Sequence, residues 1–437
     1  MRRVLVMGLG RSGRAAAALA RDRGAEVLGI DLRTDHEPIP GVRIEGGPHR
    51  REWFERADEI VVSPGIPPTQ PDLAWALANR RSVIGELGFA ARHLDQPIVA
   101  VTGTNGKSTV VSYTGQLLRA AGVTCFVGGN LGNPLSNAVG ADPRPEMLVV
   151  EVSSYQLELR GEFTPTVGAI LNLTPDHLAR HGTMRGYALA KAQLFAGMGP
   201  DGLAIVPDGD ALLDEVVHTS APRALLGTLP GVVRQGRRAT VQLPDQASVD
   251  IDLSPVGVPG EHNLDNAATS CLLALAMGVE PVALPAGLAR LTALPHRMEI
   301  VGEVDGVRYI DDSKATNIDA ARAGIGGLEQ AAVVLLGGQG KALADGTLGF
   351  ADIASVLRRH RAVVAFGEAG TKIAEELVLK GIVCNVCETL EDAVDVARGL
   401  ALRGDAVLLS PGCASFDAFS DFEARGDAFV GMVTRDP

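Results

Sequence analysis

At 437 residues the chain is too long for a single hydrophobic core, and two or three domains are expected. Its 46% hydrophobic and 21% charged residues describe a globular protein, and a formal net charge of −12 argues against a nucleic-acid partner, whose phosphates call for Lys and Arg. Five scattered cysteines make no disulfide framework, no signal peptide is read at MRRVLVMGLG, and no apolar run reaches the roughly 18–20 residues that span a bilayer, so a cytoplasmic protein is expected.

Taken in order, Val4-Leu5-Val6-Met7 reads as a buried strand and runs straight into Gly8-Leu9-Gly10-Arg11-Ser12-Gly13. A helical stretch over 14–23 and a second strand over 25–30, ending in Asp31, complete a dinucleotide-binding fingerprint. Such a turn accommodates a pyrophosphate with a ribose- or base-like group; a dinucleotide is one such ligand and a UDP-sugar another. A third strand over 60–62 ends in Ser63-Pro64-Gly65-Ile66-Pro67, at the sheet edge where open α/β folds bind ligands. A domain boundary is expected between 85 and 96.

Residues 97–110, PIVAVTGTNGKSTV, are the most informative stretch. An apolar strand over 98–101 meets the loop Gly103-Thr104-Asn105-Gly106, and Lys107-Ser108-Thr109 opens a helix. Glycines let backbone N–H groups approach phosphate oxygens, the helix N-terminus adds partial positive charge, Lys107 would reach the β- and γ-phosphates, and the Ser108 hydroxyl would face Mg²⁺. The strict G-x-x-x-x-G-K-[ST] spacing is not met, since position 101 is Val, but the strand–loop–helix context points to ATP. Glu151 ends the next apolar strand, over 147–151, where a Mg²⁺-binding carboxylate belongs. After a further strand over 169–171 comes His177, open to three readings: metal ligand, substrate contact or neither. Lys191, in YALAKAQLF, is left by composition alone on a solvated helix face.

Short β runs fill 204–252, and GEHNLDN over 260–266 opens a long helix, with an Asn of its first turn as the expected cap. His262 and the two Asn could instead present polar groups to a base. In the last third, Asp305-Gly306 signals a hairpin, and alternating strands and helices to residue 409 read as a second doubly wound unit. Cys384 and Cys387 form a lone C-x-x-C within a strand pattern and are read as packing residues rather than ligands.

Seven motifs carry a resemblance: TGTNGKST at 102–109, EVSSYQLE at 151–158, LNLTPDHL at 171–178, GEHNLDNAAT at 260–269, LPHRME at 294–299, DDSKATN at 311–317 and LLSPGCASFDAFSDFEARG at 408–426. Together they resemble the Mur ligases over essentially the whole chain, and the last two resemble the branch that adds D-glutamate. The resemblance implies an α/β protein of three domains: a Rossmann-like UDP-substrate domain over 1–88, a central P-loop ATPase-type domain over 89–293 and a Rossmann-like amino-acid domain over 294–437. It implies peptidoglycan precursor synthesis, with ATP, two Mg²⁺ ions, UDP-N-acetylmuramoyl-L-alanine and D-glutamate as small-molecule partners of a monomer.

By the same resemblance, Arg11, Ser12, Asp31, Arg33, Ser63, Asn130, Ser153, Gln156 and His177 would lie along the UDP-substrate. Asn263, Asn266, Arg297, Asp312 and Lys314 would join the phosphate loop in binding ATP, and Thr316, Lys341, Ser415 and Phe422 would hold D-glutamate. Lys107, Glu151, His177 and Lys191 would form the catalytic set, with Ser108, Glu151, His177 and a carbamylated Lys191 as metal ligands. Two positions depart from the pattern: Gln339, where many relatives have Asp, and Gly412, where Ala is common. Three rivals frame these expectations. The nearest is a Mur-type ligase for a different amino acid or folate, told apart by amino-acid selectivity. A dehydrogenase would leave the phosphate loop unexplained, and a nucleotide sensor would bind ATP without turnover.

Overall fold

The computed structural model describes residues 1–258, 260–342 and 346–434. It divides into two compact units, one of residues 1–256 and 266–291, the other of 257–265 and 292–437.

The first unit holds two sheets. In the five-stranded one, Arg3–Met7 pairs in parallel with Glu26–Asp31 on one side and Glu59–Val62 on the other, with Arg43–Gly46 and Val83–Gly85 at the edges. The chain reverses direction across the sheet at the carboxyl end of Arg3–Met7, which is where the glycine turn begins. The following helix, Arg11–Asp22, starts three residues earlier than its apolar period indicates, because extended Gly10 serves as its N-cap. A Cβ on Gly13 would stand 1.7 Å from the Gly8 carbonyl oxygen, so this glycine lets helix and strand end approach each other.

The nine-stranded sheet is centred on Ile98–Thr102, every residue of it buried, flanked in parallel by Met147–Glu151 and Val167–Ile170. Cys125–Gly129 forms one edge. On the other side Leu203–Pro207, Arg223–Leu226 and Gly231–Gln235 continue in parallel, and Arg238–Gln242 and Val249–Asp252 close the sheet as an antiparallel ribbon. The short β runs expected over 204–252 are therefore five strands, interrupted by the helix Ala211–Val216, whose first N–H groups Asp210 caps. One apolar cluster runs through both sheets, from Val4 and Ala16 through Leu87 to Ile98 and Phe163. Gly85 N–H donates to the Leu159 carbonyl at 2.7 Å, and a Cβ on Gly88 would lie 2.2 Å from the Arg160 carbonyl oxygen, so small residues set that close packing.

The helix Glu261–Ala276 corrects one expectation: it begins at Glu261, so Asn263 lies within its first turn, its N–H on the Gly260 carbonyl, and is not the cap.

The second unit opens with the hairpin Glu299–Val304 and Val307–Asp311, whose turn residues Asp305 and Gly306 both take left-handed backbone, at φ 54° and 79°. The second hairpin strand joins a parallel run of Ala406–Gly412, Ala332–Gly337, Ala362–Phe366 and, at the edge, Cys384–Cys387. Apolar clusters cover both faces of this sheet. Cys384 packs against one cluster and Cys387 against the other, since residues three apart in a strand face opposite ways.

Gly13→Ala is expected to destabilise the protein by about 3 kcal/mol, the upper range for forcing a methyl into a filled space. A urea midpoint indistinguishable from that of the parent protein would contradict this packing account.

Candidate functional site

At the carboxyl end of Ile98–Thr102 the chain turns through Gly103 and Gly106, at φ 147° and 81°, into the helix Lys107–Ala120. Asn172, at the end of the neighbouring strand's loop, holds this turn from the side. Its Oδ1 accepts from the N–H groups of Thr104 and Asn105 at 3.1 and 2.8 Å, and its amide donates to the Asn105 carbonyl at 3.1 Å. Thr104 Oγ1 donates to the Thr174 carbonyl at 3.1 Å and lies 3.3 Å from the Tyr187 hydroxyl. Asn266 stands against Gly106, where a Cβ would meet its Oδ1 at 2.9 Å. The Lys107 ammonium donates to the Thr104 carbonyl at 2.7 Å, and Ser108 and Thr109 are buried in the first helical turn.

Parallel register sets Glu151 beside Val101, at the strand end next to the loop; its carboxylate is buried, and Asn130 Nδ2 donates to it at 2.8 Å. Lys191 overturns the solvated-face reading. It is 1% exposed, its Nζ donates to the Gly103 carbonyl at 2.8 Å, and it lies 4.4 Å from the centre of the Tyr187 ring. Burial, and then the positive charge of Lys107, push its pKa well below that of an ordinary lysine.

His177 takes left-handed backbone at φ 54°, and its Nδ1 lies 2.9 Å from the Tyr155 hydroxyl. Behind it sits His181, nearly buried, its Nε2 2.9 Å from Ser154 Oγ and its pKa lowered by burial. Ser153 and Gln156 form a reciprocal cap of the short helix Ser154–Glu158, Ser153 N–H donating to Gln156 Oε1 at 2.9 Å. Gln156 thus has a structural task as well as the expected place beside substrate. Arg180 joins the Ile66 carbonyl at 3.1 Å to Glu158 at 2.6 Å. Next to it a small cleft brings Ser63 and Gln156 together with Ile66, Glu86 and Tyr155.

On the first sheet, Asp31 Oδ2 accepts from the Leu9 N–H at 2.8 Å and Oδ1 from the Arg33 N–H at 3.0 Å. Burial raises the Asp31 carboxyl, but these N–H groups outweigh it and hold it below its usual pKa. Ser63 Oγ donates to the Gly8 carbonyl at 2.8 Å, and Arg33 is exposed. Ser12 lies in the first turn of the helix, and the Arg11 guanidinium stands beside Gly132, two residues beyond Asn130.

In the second unit, strand ends gather the remaining candidates. Asp312 is buried and accepts from Ser410 Oγ at 2.8 Å; burial raises its pKa to about 7, against the pull of that hydroxyl and of the Arg297 charge. His296 and Met298, on either side of Arg297, both have positive φ, 60° and 49°. His296 Nδ1 lies 2.7 Å from Asp311 Oδ2, and Glu299 accepts the His296 N–H at 2.9 Å. Among the described residues this trio is the one group whose ligand atoms gather within 4.8 Å as a metal site would need, but the His–Asp contact is a hydrogen bond. Lys314 Nζ lies 4.4 Å from the centre of the Phe422 ring, Thr316 N–H donates to the Lys314 carbonyl at 2.8 Å, and Ser415 is buried. Gln339, the departing position, pairs through its backbone with Ala414, just before Ser415. Lys341 follows on the same loop and is exposed, and Asn263 lies in this unit's short 257–265 segment.

The sequence reading passed over Asn172, Tyr187 and His181. Only Asn172 left a signal, a polar residue directly after a buried strand and level with the phosphate loop.

Compared with known proteins, residues 2–85 match the family pattern described as Mur ligase MurD-like, N-terminal domain, 101–274 the Mur ligase middle domain, and 296–413 the Mur ligase, glutamate ligase domain. The UDP-N-acetylmuramoylalanine–D-glutamate ligase of Pelotomaculum thermopropionicum is 38% identical, over 99% of this chain and 97% of its own. That of Desulfosudis oleivorans is 37% identical over 99% and 96%. Among solved structures, a UDP-N-acetylmuramate-alanine ligase from Thermotoga maritima superposes with a TM-score of 0.60 at 18% identity, covering 99% of this chain and 98% of that one. The MurF ligase of the same organism, in complex with ADP, superposes with a TM-score of 0.62 at 17% identity over 99% and 95%. At such identities these two structures speak for the fold alone.

Two pH experiments test the buried charges. An unfolded lysine keeps its proton to about pH 10, whereas folded Lys191 gives it up at lower pH, so burying it costs stability at pH 7. Lys191→Met should therefore raise the denaturation midpoint at pH 7, by a margin that narrows as pH rises; a widening margin would contradict the assignment. Asp312 has the opposite sign. Its unfolded carboxyl titrates near 4 and the folded one at about 7, so the folded form binds the extra proton and stability falls as pH rises between them. Asp312→Asn should gain on the parent protein across that window and hold level above it.

Proposed function

Since the chain belongs to the Mur ligase family, we propose that it joins D-glutamate to the alanyl carboxylate of UDP-N-acetylmuramoyl-L-alanine, using ATP and releasing ADP and phosphate. The observation that carries this reading is the full-length likeness to D-glutamate ligases, with a phosphate loop, a strand-end carboxylate and a buried lysine assembled at one sheet edge. The three domains are assigned to 1–88, 89–293 and 294–437, within which the three family matches fall. No helix among the described residues is long and apolar enough to cross a membrane. A cytoplasmic monomer is part of this proposed reading.

A carboxylate does not condense unaided with an amine, because its oxygen is a poor leaving group. Transfer of the γ-phosphoryl group to the alanyl carboxylate makes an acyl phosphate. The D-glutamate amine then attacks its carbonyl carbon, and the tetrahedral intermediate collapses with loss of phosphate. In this scheme the N–H groups of the loop and first helical turn from Gly106 to Thr109 and the Lys107 ammonium hold the phosphates in line, while Asn172 takes the N–H groups of Thr104 and Asn105 and so fixes the loop. Asn263, Asn266, Arg297, Asp312 and Lys314 bind the rest of the nucleotide, while Arg11, Ser12, Asp31, Arg33, Ser63, Asn130, Ser153, Gln156 and His177 line the UDP-substrate. Thr316, Lys341, Ser415 and Phe422 hold D-glutamate.

The donors Ser108, Glu151, His177 and a Lys191 carbamate form the mostly hard, oxygen-rich set that suits Mg²⁺, which would supply neutralisation of phosphate charge. The depressed pKa of Lys191 supports the carbamate, because only the uncharged amine adds to CO₂.

Phosphate release from ATP, measured with UDP-N-acetylmuramoyl-L-alanine and one amino acid at a time, tests the reading. Release is expected with D-glutamate and not with L-glutamate or L-lysine. Release with a different amino acid would discard the substrate, and bound ATP with no release at all would favour a sensor. Lys107→Met should lower D-glutamate-dependent release by about 10²-fold or more, as for loss of a charge aimed at a transition state.

A further inference from the structure

Arg425, on the helix Phe422–Thr434, is fully buried and forms no ion pair with a carboxylate among the described residues. A buried charge without a counter-ion is costly and persists only when its donors are satisfied. Here all five N–H groups of the guanidinium meet acceptors. Nε donates to Ser313 Oγ at 2.9 Å, Nη1 to the carbonyls of Ala414 and Gly337 at 3.2 and 3.4 Å, and Nη2 to those of Ser313 and Cys413 at 2.8 and 3.1 Å. The Ser313 hydroxyl in turn donates to the Phe422 carbonyl at 2.9 Å, and a Cβ on Gly338 would come within 2.8 Å of Nη1.

These acceptors lie on three separate loops at the carboxyl edge of the sheet. Ser313 precedes Thr316 by three residues, Gly337 precedes Lys341 by four, Ala414 immediately precedes Ser415, and Phe422 heads Arg425's own helix. Each proposed D-glutamate contact therefore sits a few residues from an Arg425 hydrogen bond. The guanidinium is planar and rigid, so all three loops must meet one geometry at once, which a flexible ammonium could not impose.

We propose that Arg425 is the positioning residue of the amino-acid site, setting affinity for the incoming acidic amino acid by fixing the three loops without touching it. This rests on the D-glutamate reading above. Its test is steady-state kinetics of the full chain with Arg425→Lys, which keeps the charge and loses the fork, and with Arg425→Met.

Arg425→Lys should raise the KM for D-glutamate about tenfold, a modest share of what ångström-scale misplacement can do, and leave the KM for UDP-N-acetylmuramoyl-L-alanine within about twofold. Arg425→Met should raise the D-glutamate KM further. Ser313→Ala, which removes only the Nε and Phe422 contacts, should raise it about threefold, and decides the matter should the Arg425 variants fail to fold. An unchanged D-glutamate KM, or both KM values rising alike, would overturn the proposal while the parent enzyme still releases phosphate with D-glutamate. A parent enzyme that shows no such release would overturn the D-glutamate reading itself, and this proposal with it.

Discussion

Two lysines donate to the same loop, and the candidate site depends on how they share it. Lys107 donates to the Thr104 carbonyl and Lys191 to the carbonyl of Gly103, one residue away. Like charges so close repel, and the repulsion resolves toward the group that burial already disfavours as a cation. Burial and that repulsion together hold the Lys191 pKa well below that of an ordinary lysine. The strands carry no chemistry of their own, but their register brings Gly103, Glu151 and the Asn172 loop to one edge.

Much of this was legible in the sequence, for identifiable reasons. Strand Ile98–Thr102 is buried on both faces and so reads as an unbroken apolar run, and glycine followed by Lys-Ser marks the turn after it. The burial of Lys191 was not legible. Its helix is rich in alanine and gives little contrast between faces, and the groups that enclose it include Gly103, 88 residues away in sequence. Arg425 was hidden for a related reason: a charged residue in a polar motif reads as surface, and only the folded chain shows three loops converging on it. The start of the Glu261–Ala276 helix was misplaced because Asn, a good cap by propensity, sits two residues inside it.

Asp31 sharpens what the fingerprint of the first domain means. In a dinucleotide fold the acidic residue at this position turns its carboxylate to a ribose. Here both oxygens accept N–H groups from the chain's own loops, at Leu9 and Arg33, so the carboxylate first shapes the turn. A motif defined by spacing records the turn, and the ligand is decided by where the remaining hydrogen-bonding capacity points. The same distinction separates Gln156, which caps a helix, from a residue free to follow substrate.

The borders of the two larger sheets are unequal in character. Val249–Asp252, which closes the nine-stranded sheet, turns Asp250 and Asp252 outward, and two negative charges discourage a passing strand from adding on. Cys384–Cys387, at the border of the last sheet, has no charged residue, and Val383 and Val386 beside and within it stand 83% and 50% exposed. Newly made chains crowded together would therefore zip at this border sooner than at the acidic one. Of these two borders, the one more open to mispairing is Cys384–Cys387, a strand that bears none of the proposed ligand contacts.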